Sequence, residues 1–137
     1  MTSTSDVPGT DHAVILAGGL GTRVRSILGE TPKALAHVGG RPFIEWKFEE
    51  LSRNQVSSAT ILMGYGAASL QAALESIAST VSTNYLVDTP EPLGTGGALA
   101  AALTALPPRF YVTYGDNLLD MEYRNLDLTA RSVGVPF

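Results

Sequence analysis

A chain of 137 residues is long enough for one domain with a hydrophobic core, and short for an enzyme that must hold two substrates. It contains no cysteine, which excludes disulfides, thiolate metal sites and thiol nucleophiles and makes a reducing, cytoplasmic setting the expectation. With 13 acidic against 9 basic side chains and a formal charge of -4, it lacks the cation excess of a nucleic-acid-binding face, and no apolar run is long enough to span a bilayer.

Residues 1–11 are polar and rich in breakers, and read as a disordered tail ahead of a single domain over 12–137. His12 to Ala17 (HAVILA) is a continuous apolar run ending in glycines, as expected of a strand buried on both faces of a parallel sheet. Gly39-Gly40 predict a turn, with Pro42 in the first turn of a helix whose Ile44, Phe48 and Leu51 share a face. On its outer side Glu45 and Glu49 repel, while Glu49 and Arg53 are spaced to attract. Phe43, Trp46 and Phe48 read as packing residues.

Ala59 to Met63 predicts a second buried strand. A Gly64-Tyr65-Gly66 turn then leads into a helix with Leu70, Leu74 and Ile77 on one face. Asn84 to Val87 is a third strand and Thr89 to Leu93 a loop. Thr95 is placed to cap a helix carrying Leu99, Leu103 and Leu106, which Pro107-Pro108 end. Arg109 to Tyr114, aromatic and β-branched, predicts the fourth strand. Alternating strands and helices imply a Rossmann-like, three-layer α/β/α sandwich with a mostly parallel sheet in the order 3-2-1-4. Ligands in such sheets sit beyond the carboxyl ends of the strands at the switch point, here between the first and fourth.

Two segments leave those strand ends. Leu16 to Arg23 (LAGGLGTR) carries Gly18, Gly19 and Gly21, whose amides can form a nest for phosphate oxygens, with Arg23 as a planar cationic fork. A dinucleotide fingerprint and a P-loop are both absent: Val24 stands where the first needs a small residue, and Thr22 where the second needs Lys. Pro32 stiffens the chain before Lys33, a second candidate phosphate clamp. Asp116, after Gly115, is either the cap of a turn or, beside a phosphate loop, a ligand for Mg2+. Glu91 to Gly97 (EPLGTGG) reads as a loop and helix start whose glycines admit a flat ligand. His12 and His37 lack the neighbours of a catalytic base or metal ligand.

The ordered segments LAGGLGTR, TPKAL, VGGRPFIEW, EPLGTGGAL and YGDNLLD resemble the sugar-1-phosphate nucleotidyltransferase family, and most closely its branch of heptose-1-phosphate and mannose-1-phosphate guanylyltransferases. The resemblance implies transfer of a nucleoside monophosphate from NTP, GTP slightly favoured, to a sugar 1-phosphate, giving NDP-sugar and pyrophosphate with Mg2+ as cofactor. It implies that Leu16, Ala17, Gly18 and Gly19 meet the base and ribose, and that Gly21, Thr22 and Arg23 meet the triphosphate. Arg23 and Lys33 would be catalytic, Asp116 would bind the metal, and Glu91 and Gly96 would lie near the base. Family members continue past the Gly-Asp strand into a sugar pocket with a second metal-binding aspartate. Asp120 and Asp127 follow Asp116 too closely to replace it, so the chain reads as truncated before that half. A regulatory nucleotide-binding module and an inactive fragment remain alternatives, and the oligomeric state is open.

Overall fold

The structure is a computed structural model that describes residues 9–18, 31–64, 67–87 and 94–134. Strand β1 (His12–Ala17) is followed by a 3-10 turn at Lys33–Leu35 and a hairpin of β2 (His37–Val38) and β3 (Arg41–Pro42). Then come α1 (Phe43–Arg53), β4 (Ser58–Met63), α2 (Ala67–Glu75), β5 (Ser82–Val87) and α3 (Gly94–Ala102). A second 3-10 turn at Leu103–Ala105, β6 (Tyr111–Tyr114) and α4 (Tyr123–Val133) complete the chain order.

The main sheet is wholly parallel in the order β5-β4-β1-β6, the topology expected from the sequence. Central β1 pairs His12 with Ser58 through Ala17 with Met63 on one side, and Ala13 with Tyr111 through Leu16 with Tyr114 on the other. Its alternate side chains feed two cores. Ala13 and Ile15 join Ile44, Phe48 and Leu51 of α1, Leu70 and Leu74 of α2, and Tyr123 of α4. Val14 and Leu16 join Leu62, with Ala98, Leu99 and Ala102 of α3. Helices on both faces of one sheet make the expected three layers.

At the carboxyl ends of β1 and β4 the backbones nearly touch. A Cβ on Gly64 would stand 2.8 Å from the carbonyl oxygen of Gly18, so the crossing demands glycine. Gly39 and Gly40, with φ of +60° and +83°, supply the left-handed pair that a two-residue hairpin turn requires.

Several local expectations are corrected. Pro42 stands one residue before α1, paired with His37 in the hairpin, instead of inside the first helical turn. Glu49 is bonded directly by Arg41, at 2.6 and 2.7 Å, while Arg53 attracts it more weakly through charge alone, as its spacing predicted. The Arg41 guanidinium also lies 3.8 Å from Glu45 and 3.7 Å over the Trp46 ring, so one cation separates the two repelling carboxylates. Thr95 lies within α3, which begins at Gly94, so it is not the residue before the helix. Leu103 opens a 3-10 turn that leaves the α-helical period, and is exposed while Leu99 and Leu106 pack. Ile77 packs on the core from beyond the end of α2. The 89–93 loop lies outside the described residues.

The closing helix α4 was not foreseen. It places Tyr123 edge-on to Tyr111, with centroids 5.0 Å apart. It also places Asp127, bonded to Arg131 at 2.9 Å, against Thr10. Beside it, the Asp11 carbonyl accepts from Ser57 N at 2.9 Å, so the chain is tied down just ahead of β1. No helix among the described residues is long and apolar enough to cross a membrane.

Candidate active site

Leu16 and Ala17 end β1 and are half-buried; Gly18, exposed, leaves the sheet beside Gly64. Gly19, Gly21, Thr22 and Arg23 of the glycine loop, and Glu91, lie outside the described residues. Gly96 sits exposed in the first turn of α3, with open space where a Cβ would stand. It follows the carboxyl end of β5, and so belongs to the same edge of the sheet.

Lys33 is positioned from behind. Pro32 holds an extended conformation at φ -57° and ψ 142°, and Lys33 then opens a single 3-10 turn closed by Leu35 N donating to Pro32 O at 2.9 Å. Ala34 is buried in the α1/α2 core and Leu35 packs against it, while Phe43 N donates to Ala36 O at 2.8 Å. With its neighbours anchored, the Lys33 side chain faces outward at 42% exposure.

Asp116 is positioned from the other side of the switch point. Gly115 N donates to Leu16 O at 3.0 Å, continuing the β1–β6 ladder one residue past the strand, and the next residue turns away. The Asp116 carboxylate is half exposed, and its Oδ2 lies 3.7 Å from Lys33 Nζ. Cation, carboxylate and the stem of the glycine loop therefore share one edge of the sheet.

A buried polar cluster that the sequence reading missed lies directly beneath. Lys47 and Glu50 of α1 are 0% and 2% exposed. Lys47 Nζ donates to both Glu50 oxygens at 3.1 Å, to Thr113 Oγ1 at 2.9 Å and, at the limit of reach, to Asn117 Oδ1 at 3.5 Å. Glu50 also accepts from the Leu119 amide at 3.0 Å and from the Tyr123 hydroxyl. Burial pulls the Lys47 ammonium below its ordinary pKa, against the opposing pull of Glu50 and Asp116. Burial, with Glu50 beside it, pushes the Tyr123 phenol far up, so it remains a donor. One signal was available: Lys47 follows Ile44 by three residues and precedes Leu51 by four, which sets it on the border of the apolar stripe.

Asp127 does not stand in for a second carboxylate at this edge. It is held by Arg131 and Thr10, with Arg109 at 3.9 Å. Burial alone would raise its pKa, but the bonds from Arg131 and Thr10 and the two guanidinium charges outweigh it, and it stays ionised.

A parallel α/β sheet with a glycine-rich sequence leaving its central strand, and a lysine and an aspartate meeting at the switch point, is an arrangement that can receive an anionic ligand. The chain belongs to the family described as the MobA-like NTP transferase domain, whose model matches residues 13–123. It is 31% identical over 122 residues to the D-glycero-alpha-D-manno-heptose 1-phosphate guanylyltransferase of Campylobacter jejuni, covering 89% of this chain and 55% of that protein. It is also 31% identical over 116 residues to the enzyme of the same name from Aneurinibacillus thermoaerophilus, covering 84% and 50%. The fold superposes on crystal structures of HddC from Yersinia pseudotuberculosis, one of them complexed with GMP-PN, with TM-score 0.77 and 29% identity over 88% of this chain and 54% of that one. The chain thus spans about half the length of the relatives it matches.

Proposed function

We propose that this chain carries the nucleotide half of a sugar-1-phosphate nucleotidyltransferase, using GTP by preference and working in the cytoplasm. The observation that carries the reading is the approach of Lys33 to Asp116 at 3.7 Å, beside the exit of β1 into the LAGGLGTR loop. The names of the two similar guanylyltransferases support both the reaction class and the choice of GTP.

In this reading an oxygen of the sugar phosphate attacks the α-phosphorus of the nucleotide, and the bond to pyrophosphate breaks in line with it. Leu16, Ala17, Gly18 and Gly19 receive base and ribose; Gly21, Thr22 and Arg23 grip the triphosphate, with Arg23 facing the charge that builds on pyrophosphate. Lys33 neutralises oxygens around the reacting phosphorus. Glu91 and Gly96 flank the base.

Asp116 fits a divalent cation, since it is a half-exposed carboxylate held two residues past the end of β6. Mg2+ is a hard ion that takes one or two carboxylates and fills its shell with phosphate and water, so a single carboxylate beside a triphosphate can serve it. When bound it would supply fixed positive charge to the phosphates.

The test is pyrophosphate release on incubation with each NTP, Mg2+ and a panel of sugar 1-phosphates. Saturable GTP binding is expected of this nucleotide half, and release with GTP and one sugar phosphate once a sugar-binding half completes it. GTP binding without release from any pair in the completed protein would favour a binding module over a transferase.

A further inference from the structure

The Lys47–Glu50 pair lies outside the surface that a nucleotide would touch, yet its partners bracket Asp116. Lys47 Nζ bonds Thr113, three residues before Asp116, and reaches Asn117, the residue after it. Glu50 takes the amide of Leu119 and the hydroxyl of Tyr123, the first residue of α4. Asn54, one helical turn beyond Glu50, accepts from Tyr123 N at 2.8 Å and donates to Glu50 O at 2.9 Å. The segment from Thr113 to Tyr123 is therefore pinned to one face of α1 at four points, and Asp116 is carried on the arch between the first two.

We propose that Lys47 and Glu50 are positioning residues that hold the Asp116 loop at the depth and angle needed to meet Lys33 and a nucleotide-bound divalent cation. Removing two charges from water costs several kcal/mol per ion, and apolar residues of similar volume often serve a core as well or better. Folding alone therefore gives little reason for a full lysine–glutamate pair under a catalytic strand end. Fixing a loop that has no helix or strand of its own does give one. Residues 117–120 have no regular secondary structure, and the polar atoms that define their path come from α1. Groups that orient a metal ligand without touching the metal commonly change its affinity by about 10–100-fold when altered. The inference rests on the proposed function for the role of Asp116, and on the geometry alone for the pinning.

The test compares the unaltered chain with Lys47→Met/Glu50→Gln, which removes both charges together so that neither is left buried alone, and with the milder Thr113→Val. Two readouts are needed. The first is amide hydrogen exchange, expected to rise about tenfold or more across residues 115–119 in the double variant while β1 and β4 keep their protection. The second is GTP affinity with and without Mg2+. The gain from Mg2+ should shrink by about tenfold, as it does for Asp116→Ala, while metal-free GTP affinity changes by less than about twofold. Thr113→Val should move both readouts in the same direction and less far.

Unchanged exchange in 115–119 would overturn the inference whatever the metal arm gives. So would an equal loss of affinity with and without Mg2+, because a general loosening of the fold has that signature. If the unaltered chain gained nothing from Mg2+, the metal role of Asp116 would fall with the positioning claimed for it, and exchange would still decide whether the pair pins the loop. Should the double variant fail to fold, the same criteria apply to Thr113→Val.

Discussion

Lys33 Nζ and Asp116 Oδ2 stand 3.7 Å apart at the switch point of the sheet, one carried by a 3-10 turn anchored through Ala34, the other by the first turn after β6. Both side chains are about half exposed, so their mutual attraction is screened and contributes little to stability, on the order of 0–1 kcal/mol. Lys33→Ala should therefore leave the urea midpoint nearly unchanged and weaken GTP binding by roughly 10–100-fold, the loss expected for a charge-assisted phosphate contact. A large loss of stability in the variant would instead assign Lys33 to the scaffold.

Gly64 meets Gly18 too closely for any side chain, with 2.8 Å from a Cβ to a backbone oxygen. Because backbone cannot swing aside as a flexible side chain does, Gly64→Ala should cost roughly 1–3 kcal/mol in chemical denaturation. It should also disturb nucleotide binding, since Gly18 is the root of the glycine loop.

The Lys47–Glu50 pair makes a quantitative prediction for stability. Lys47→Met alone leaves a buried carboxylate without its cation and should cost about 3–5 kcal/mol, whereas the Lys47→Met/Glu50→Gln double should recover much of that. Tyr123→Phe removes one donor from Glu50 while keeping the packing on Tyr111, and should cost about 1–3 kcal/mol. Denaturation of the three variants gives the comparison directly.

His12 supplies a pH signature at the opposite end of the sheet. Its ring bonds Ser58 Oγ at 2.7 Å and Thr60 Oγ1 at 2.9 Å, and burial lowers its pKa from the ordinary 6.5, with Asp11 opposing in part. The unfolded chain thus takes up the proton first. The stability linked to His12 is complete above about pH 6.5 and declines as pH falls from there toward the lowered folded-state value. Melting temperatures from pH 8 to pH 5.5 should fall for the unaltered chain and fall less for His12→Gln.

The sheet was legible because its central strands are apolar on both faces: HAVILA and ATILM cannot be solvated on either side, and their order follows from handedness. Lys33 and Asp116 were legible as candidates from proline and glycine context; the topology set the exits of β1 and β6 side by side, and the 3-10 turn anchored by Ala34 brings Lys33 to that edge. Lys47 and Glu50 were not, because the partners that allow their burial lie 66 to 73 residues away, beyond any helical period. The attraction of Glu49 to Arg53 was legible from spacing within the helix, but its bidentate contact with Arg41 was not, because Arg41 comes from the preceding hairpin. The final helix was legible as well, since Tyr123, Leu126, Ala130 and Val133 recur at helical spacing, although of that stripe only Tyr123 is buried.

The most direct test of nucleotide binding at this edge is a calorimetric titration of GTP with Mg2+ into the unaltered chain and into Lys33→Ala, both confirmed as folded. Saturable one-to-one binding that weakens by about tenfold or more in the variant is the expected result. Absence of saturable binding, or equal affinity in the two proteins, would contradict the assignment of Lys33 and Asp116 to a nucleotide site.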